Sequence, residues 1–363
     1  MRSLVAPHIE SLHPYVPGKP IEETEREYGI TDVVKLASNE NPLGPAPRAV
    51  EAMRAALKDL HLYPDGASFH LVRALAKSLD VPPETVMVGS GSNELIELLI
   101  RTFTTPEEET ILSKGSFLMY KVALQSHGRP YREVPMKSGY QYDLDAIAAA
   151  VGPKTKLIFL ANPDNPTGTA FTRAALDAFL TKVPEDVLVV HDEAYFEYCD
   201  LPDYPNGVEY ARRHRNVIAL RTFAKAYGLA GARVGYGVMD AKLVSYLNRT
   251  RMPFHLTSLA QVGAAAALED GEHVRRTVAL AQQGLRYLET ELGKLGVTVP
   301  RSHTNFVFAD FGRPAAPIYE GLLRRGLITR PVPGYGFPNA LRISTGLMPQ
   351  NERLVAALRE ILA

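Results

Sequence analysis

The chain has 363 residues, with 40 Lys and Arg against 40 Asp and Glu, and 46% of its residues are hydrophobic. At about 150 residues per domain this length suggests two domains and ample material for a core, and the composition excludes a disordered or fibrous chain. The zero charge balance gives no reason to expect nucleic acid or a membrane surface as partner, and the single cysteine, Cys199, excludes an internal disulfide. A cysteine-poor chain fits a reducing compartment. No apolar run approaches the roughly 20 residues of a membrane span, and the opening MRSLVAPHIESLHPY lacks the apolar stretch of a secretory signal. A cytoplasmic protein is expected.

The first 45 residues are rich in Pro, Gly and Glu and read as an arm with one or two short ordered pieces, Glu22 to Glu27 being a solvated part of it. Pro47 then opens a helix through AVEAMRAAL, and 66–79 reads as a second, with Leu71, Leu75 and Leu79 on one face. Short apolar runs follow at 86–89, 109–113, 156–163, 187–195 and 216–223, separated by helical stretches such as DLDAIAAAV and TRAALDAFLTKV. Continuous apolar strands alternating with helices predict a mainly parallel sheet covered on both faces. After about residue 253 the texture changes to a long helical region (259–295), then TNFVFADF, a helix at 315–325, LITRPVP, NALRISTG and a final helix. That is an α+β pattern with a mainly antiparallel sheet. The expected division is a large α/β domain over 46–252, with 1–45 and 253–363 forming the N-terminal arm and a smaller domain.

Four segments end strands and carry polar residues where ligands bind in open α/β sheets. GSGSNE (89–94) joins a strand to a helix, so the amides of Ser92 and Asn93 face an anion at the helix N-terminus. A tight turn explains it equally well. A dinucleotide fingerprint fits incompletely, because Glu94 stands where the third glycine belongs. NPDNPTGT (162–169) forms a stiff turn that either stops a strand or offers the Asn165 amide to a ligand oxygen. In HDEAY (191–195), Asp192 follows VLVV and is either a helix N-cap or a buried carboxylate needing a cationic partner. In RTFAKAYGLAGARVGY (221–236), Lys225 lies in a small and apolar run. Most lysines are solvated surface charges, but shielding from water would make this amine available for a Schiff base. Arg233 can clamp a phosphate. Together the four supply what pyridoxal 5'-phosphate needs: a Schiff-base lysine, an acid for the ring nitrogen, donors for the ring 3-oxygen and a phosphate cup.

Over nearly its whole length the chain resembles the fold-type I pyridoxal-phosphate aminotransferases. The segments that carry the resemblance are LHPYVPGK (12–19), KLASNENPLGP (35–45), YPDG (63–66), GSGSNELIELLIRTF, NPDNPTGT, DEAY, RTFAKAYGLAGARVGY and LRISTG (341–346). The opening two segments point to the histidinol-phosphate branch. The resemblance implies that Lys225 carries the cofactor, Asp192 partners its ring nitrogen, and Asn165 and Tyr195 bind its 3-oxygen. It implies that Phe117 stacks on the ring and that Ser92, Asn93 and Arg233 hold the phosphate. Tyr63 resembles a tyrosine that reaches the neighbouring subunit's cofactor phosphate, which implies a homodimer with shared sites. Arg342 matches a carboxylate-binding arginine, and Arg330, Tyr15 and Asn39 match positions lining the substrate pocket, with Arg330 directed to a substrate phosphate.

The implied reaction moves an amino group from histidinol phosphate to 2-oxoglutarate, so the partners are a small amino donor and a 2-oxo acid. An aromatic amino acid aminotransferase and a threonine-phosphate decarboxylase share much of the pattern, and a non-catalytic phosphate- or dinucleotide-binding protein is the alternative of another class. The family usually has Ser just before the lysine, where this chain has Ala224. The missing hydroxyl would weaken the cup by about 1 kcal/mol unless water or Thr222 compensates. The ten histidines show no metal-binding spacing. His191 is expected to face away from Asp192, and Cys199 to serve packing.

Overall fold

Five successive residues, 157–161, run through the core of the molecule, where neither face of their strand meets water. Leu157, Phe159 and Ala161 pack to one side of the sheet with Leu95, Leu99 and Tyr120, whereas Ile158 and Leu160 pack to the other with Ile147, Leu176 and Phe179. Successive side chains on a strand point to opposite faces, so a strand covered twice must be apolar at every position. The computed structural model describes residues 3–10, 12 and 18–363.

The strands are β1 (Val34–Lys35), β2 (Val86–Gly89), β3 (Glu109–Ser113), β4 (Tyr131–Val134), β5 (Thr155–Ala161), β6 (Leu188–Asp192), β7 (Val217–Thr222) and β8 (Gly235–Val238), followed by β9 (Phe306–Asp310), β10 (Leu327–Ile328), β11 (Arg330–Val332) and β12 (Phe337–Ser344). A seven-stranded sheet has the order β2-β8-β7-β6-β5-β3-β4. All its neighbours are parallel except β8, which runs antiparallel to both β2 and β7. The fold class is therefore the expected α/β one.

Two of these strands, β4 and β8, carry no clear strand signal in the sequence. β4 is an edge strand with polar Arg132 and Glu133, and β8 is GYGV, whose glycines weaken strand preference. Gly235 is required by its neighbour: a Cβ there would sit 2.6 Å from the Ser92 amide.

A separate antiparallel sheet has the order β11-β12-β9. Leu341 and Ile343 of β12 face the helix Gly271–Lys294 and the last helix, Met348–Leu362, through Leu285, Leu288, Leu354 and Leu358. The alternate residues Arg342 and Ser344 consequently face the other way. β1 of the N-terminal arm pairs in parallel with β10. The residues 22–27 are helical within Ile21–Tyr28, with Glu22, Glu23 and Glu27 solvated as expected, while Thr24 is buried and the Tyr28 hydroxyl donates to Glu320 at 2.9 Å.

The helix expected from 66 begins at Phe69, because the Asp65 carboxylate accepts from the amides of Ala67 and Phe69 and so fixes a turn before it. The region 259–295 is two helices, Ser258–Ala267 and Gly271–Lys294. The first packs against the helices Pro47–Ala56 and Phe69–Leu79 beside the large sheet. Among the described residues no helix is long and apolar enough to cross a membrane, and no cluster of three metal-ligating side chains occurs.

Leu341 is fully buried in the central strand of the small sheet, between register partners Ala309 and Pro331. Leu341→Ala is expected to cost about 2–5 kcal/mol through lost transfer energy and the cavity left behind. A urea-unfolding midpoint unchanged from the parent would contradict that packing.

Candidate active site

The carboxyl ends of β5, β6 and β7 open into a cleft closed on its far side by the arm and by β11 and β12. Thirteen residues were singled out in the sequence. Eleven of them line this cleft: Asn39, Ser92, Asn93, Phe117, Asn165, Asp192, Tyr195, Lys225, Arg233, Arg330 and Arg342. Tyr63 does not line it. That side chain is 83% exposed and stacks on Phe254 at 4.8 Å. Tyr15 lies outside the described residues.

Lys225 sits in the loop after β7, where its Nζ donates to the Ser38 carbonyl at 3.2 Å. Burial and then the neighbouring Arg342 guanidinium push its pKa down to about 8, because both disfavour the charged amine. Asp192 is the last residue of β6, 3% exposed, and lines the cleft without an ion pair to any described residue. Burial lifts its carboxyl to about 6, while the Tyr120 hydroxyl, donating at 2.6 Å, and the Ala194 amide at 3.1 Å hold it down. Asp192 is thus no helix cap but a buried acid that a cationic ligand would complete. His191 points to the opposite face as strand alternation requires, packed between the rings of Phe171 and Tyr204.

Arg342 presents the complementary situation. Its guanidinium donates to Asn165 Oδ1 at 2.6 Å and to the Ala37 carbonyl at 2.7 Å, both neutral, and its buried Nε has no partner. Arg330 is its register neighbour across β11 and β12, so two guanidinium-bearing residues stand side by side at the cleft. Since Asn165 accepts through Oδ1, its amide nitrogen is left to donate. Tyr195 accepts from Asn39 Nδ2 at 2.8 Å, leaving its own hydroxyl proton for a ligand oxygen. Burial raises the Tyr195 pKa to about 12, so this hydroxyl is a donor throughout the neutral range.

At the mouth, the loop 89–92 turns through Gly91, at φ +77°, into the helix Ser92–Phe103. A Cβ at Gly91 would lie 2.6 Å from Arg233 Nη2, so loop and guanidinium share a cradle that only glycine leaves open. Thr222, Ala224 and Ser92 line the same end. The Thr222 hydroxyl accepts from the Ala224 amide at 3.1 Å, which puts a hydroxyl beside the position where Ala224 lacks one. The cradle fits a phosphate and the floor fits a cationic ring.

Three cleft residues have no clear signal in the sequence. Tyr120 lies in an apolar helical run and reads as core, which it also is, stacked on Phe159 at 4.5 Å. Tyr335 and Ser38 line the cleft only because β12 and the arm fold back over it.

In the ligand-free chain, an amine-selective acylating reagent should modify Lys225 with a midpoint near pH 8, rather than the usual 10.5. Arg342→Gln removes a positive charge that opposes the protonated amine, so the midpoint should move upward. Peptide mass spectrometry across pH reads both, and a parent midpoint above 10 would contradict the desolvated amine.

Residues 31–358 match the family model described as aminotransferase class I and II. A histidinol-phosphate aminotransferase of Anaeromyxobacter sp. (strain Fw109-5) is 55% identical over 360 residues, 99% of each chain. One from Moorella thermoacetica is 46% identical over 356 residues, 98% of this chain and 92% of that one. The crystal structure of histidinol-phosphate aminotransferase from Sinorhizobium meliloti in complex with pyridoxal-5'-phosphate aligns with a TM-score of 0.91 at 31% identity, covering 100% of this chain and 98% of that one. L-threonine-O-3-phosphate decarboxylase from Porphyromonas gingivalis shares the fold, with a TM-score of 0.81 at 20% identity over 91% of this chain and 99% of that one.

Proposed function

Because this chain belongs to the class I and II aminotransferases, we propose that it is a pyridoxal-phosphate enzyme that transfers the amino group of histidinol phosphate to 2-oxoglutarate. The observation that carries this reading is the pairing of a depressed amine, Lys225, with a buried acid, Asp192, that has no cation of its own. The substrate class rests on the 55% identity to a histidinol-phosphate aminotransferase and on the adjacent arginines 330 and 342.

Bound pyridoxal phosphate supplies a positively charged ring that stabilises negative charge developing on the substrate carbon. Asp192 holds the proton on the ring nitrogen, and its own charge is secured by Tyr120 and the Ala194 amide. Asn165 Nδ2 and the Tyr195 hydroxyl donate to the ring 3-oxygen, and Phe117 covers a ring face. Ser92, Asn93, Arg233 and Thr222 hold the phosphate.

Lys225 Nζ would hold the cofactor, and its amine is placed to move the proton of the donor carbon that bears the amino group. A pKa near 8 leaves an appreciable share of neutral amine at neutral pH for this task. Arg342 takes a carboxylate of the 2-oxo acid as two parallel hydrogen bonds. Arg330 takes the phosphate of the donor, with Asn39 holding Tyr195 in place. The working unit is a homodimer in which Tyr63, exposed on one subunit, reaches the cofactor phosphate of the other. A cytoplasmic setting fits a chain with one cysteine.

Mixing the pyridoxal-phosphate form with histidinol phosphate should discharge its visible absorption band faster than phenylalanine does. Lys225→Ala should lack that band and lower turnover by at least roughly 10²–10⁴-fold, the contribution of a positioned proton-transfer group. Normal turnover by Lys225→Ala, or a preference for phenylalanine, would overturn the mechanism or the substrate respectively. Arg330→Gln should raise the KM for histidinol phosphate roughly tenfold, as when a hydrogen bond to a charged group is lost. The KM for 2-oxoglutarate should change less, and steady-state kinetics on both substrates separate the two.

A further inference from the structure

Behind the loop at the mouth of the cleft lie three polar side chains that the reaction does not use. Glu94 Oε2 accepts from the Ser90 amide at 2.5 Å and stands 2.8 Å from His255 Nδ1. His255 Nε2 stands 2.8 Å from a terminal nitrogen of Arg251. A guanidinium only donates, so His255 Nε2 accepts and the ring proton sits on Nδ1, aimed at Glu94. The His255 side chain is 3% exposed, so this tautomer is not exchanged against water.

The placement of Glu94 poses an electrostatic problem. A carboxylate in the first turn suits the helix dipole, yet it stands one residue from Asn93, where an anion is to bind. Burial would raise the Glu94 carboxyl, but the hydrogen bonds from His255 and Ser90 hold it below the usual carboxylate range, so it is charged. Arg251 supplies the balancing positive charge through His255. The Ser90 contact also closes the loop 89–92 onto the helix, and that loop sets the direction of the Ser92 and Asn93 amides.

We propose that Glu94, His255 and Arg251 are positioning residues for the cofactor phosphate, clamping the loop 89–93 in the shape the anion needs while cancelling the carboxylate's repulsion. This rests on the reading that the loop and Arg233 hold that phosphate. His255→Phe removes the donor to Glu94 and leaves its charge unbalanced. His255→Asn keeps an amide nitrogen at the place of Nδ1. Glu94→Gln keeps the volume but replaces the charged acceptor.

The test is the dissociation constant of the cofactor-free full-length protein for pyridoxal phosphate and for pyridoxal, which lacks the phosphate, by absorbance titration. His255→Phe is expected to bind pyridoxal phosphate roughly tenfold more weakly, the loss that follows removal of a hydrogen bond to a charged group, and Glu94→Gln to lose less, because it loosens the clamp but removes the repulsion. Binding of pyridoxal should be unchanged, and His255→Asn should recover most of the loss. Equal weakening of both ligands would mean a general structural role and overturn the proposal, as would no change in either. If the parent protein itself bound the two ligands equally, the phosphate-cup reading would fail, and the proposal with it. Should His255→Phe not fold, Glu94→Gln and His255→Asn decide the matter alone.

Discussion

An amine kept from water beside guanidinium groups gives up its proton more readily than a solvated one, and the architecture around Lys225 enforces that condition. Bulk water would restore its proton, so the cleft needs walls on every side. The large sheet supplies the floor, the arm supplies Ser38 and Asn39, and β11 and β12 supply Arg330 and Arg342. Asp192 and Arg342 lie on strands whose alternate residues, Val189, Leu341 and Ile343, are locked into the cores behind them.

The charges in the cleft are deliberately incomplete. Asp192 is buried with hydroxyl and amide donors but no cation, and Arg342 is buried with neutral acceptors but no acid. Joining the two would satisfy both, and would also leave nothing for a ligand. Keeping them apart costs stability, since unpaired buried charge is unfavourable, and the apolar packing elsewhere offsets it. Such standing costs are usual at sites that must recognise ions. The structural acid Glu193 shows the contrast: buried on the other face of β6, it is fully engaged by Arg221 Nε at 2.9 Å and by the Gly207 amide at 2.7 Å.

Much of this was legible in the residues. Central strands announce themselves as unbroken apolar runs because both faces are covered, and Asp192 and Lys225 stand out because each ends such a run. Tyr120 is the opposite case: its ring belongs to the core and its hydroxyl to the site, so periodicity registers only the ring. β8 was hidden because its glycines answer to close approach by the loop at Ser92, a contact between distant segments. The pairing of β1 with β10 joins two-residue strands from opposite parts of the chain, too short to leave any pattern. Those long-range closures place Ser38 and Tyr335, and no local signal encodes them.

The same closure bears on when the protein becomes competent as it is made. Asn39 is held by Ser344 and Asn305, and Arg342 by Asn165 and Ala37, so both walls depend on residues translated well after Lys225. A nascent chain already containing Lys225 still has that amine in water, fully protonated and chemically ordinary. Domains fold as units when their final segments emerge. For this chain, the amine at 225 becomes reactive only after segments roughly a hundred residues further along have been made and folded back over it.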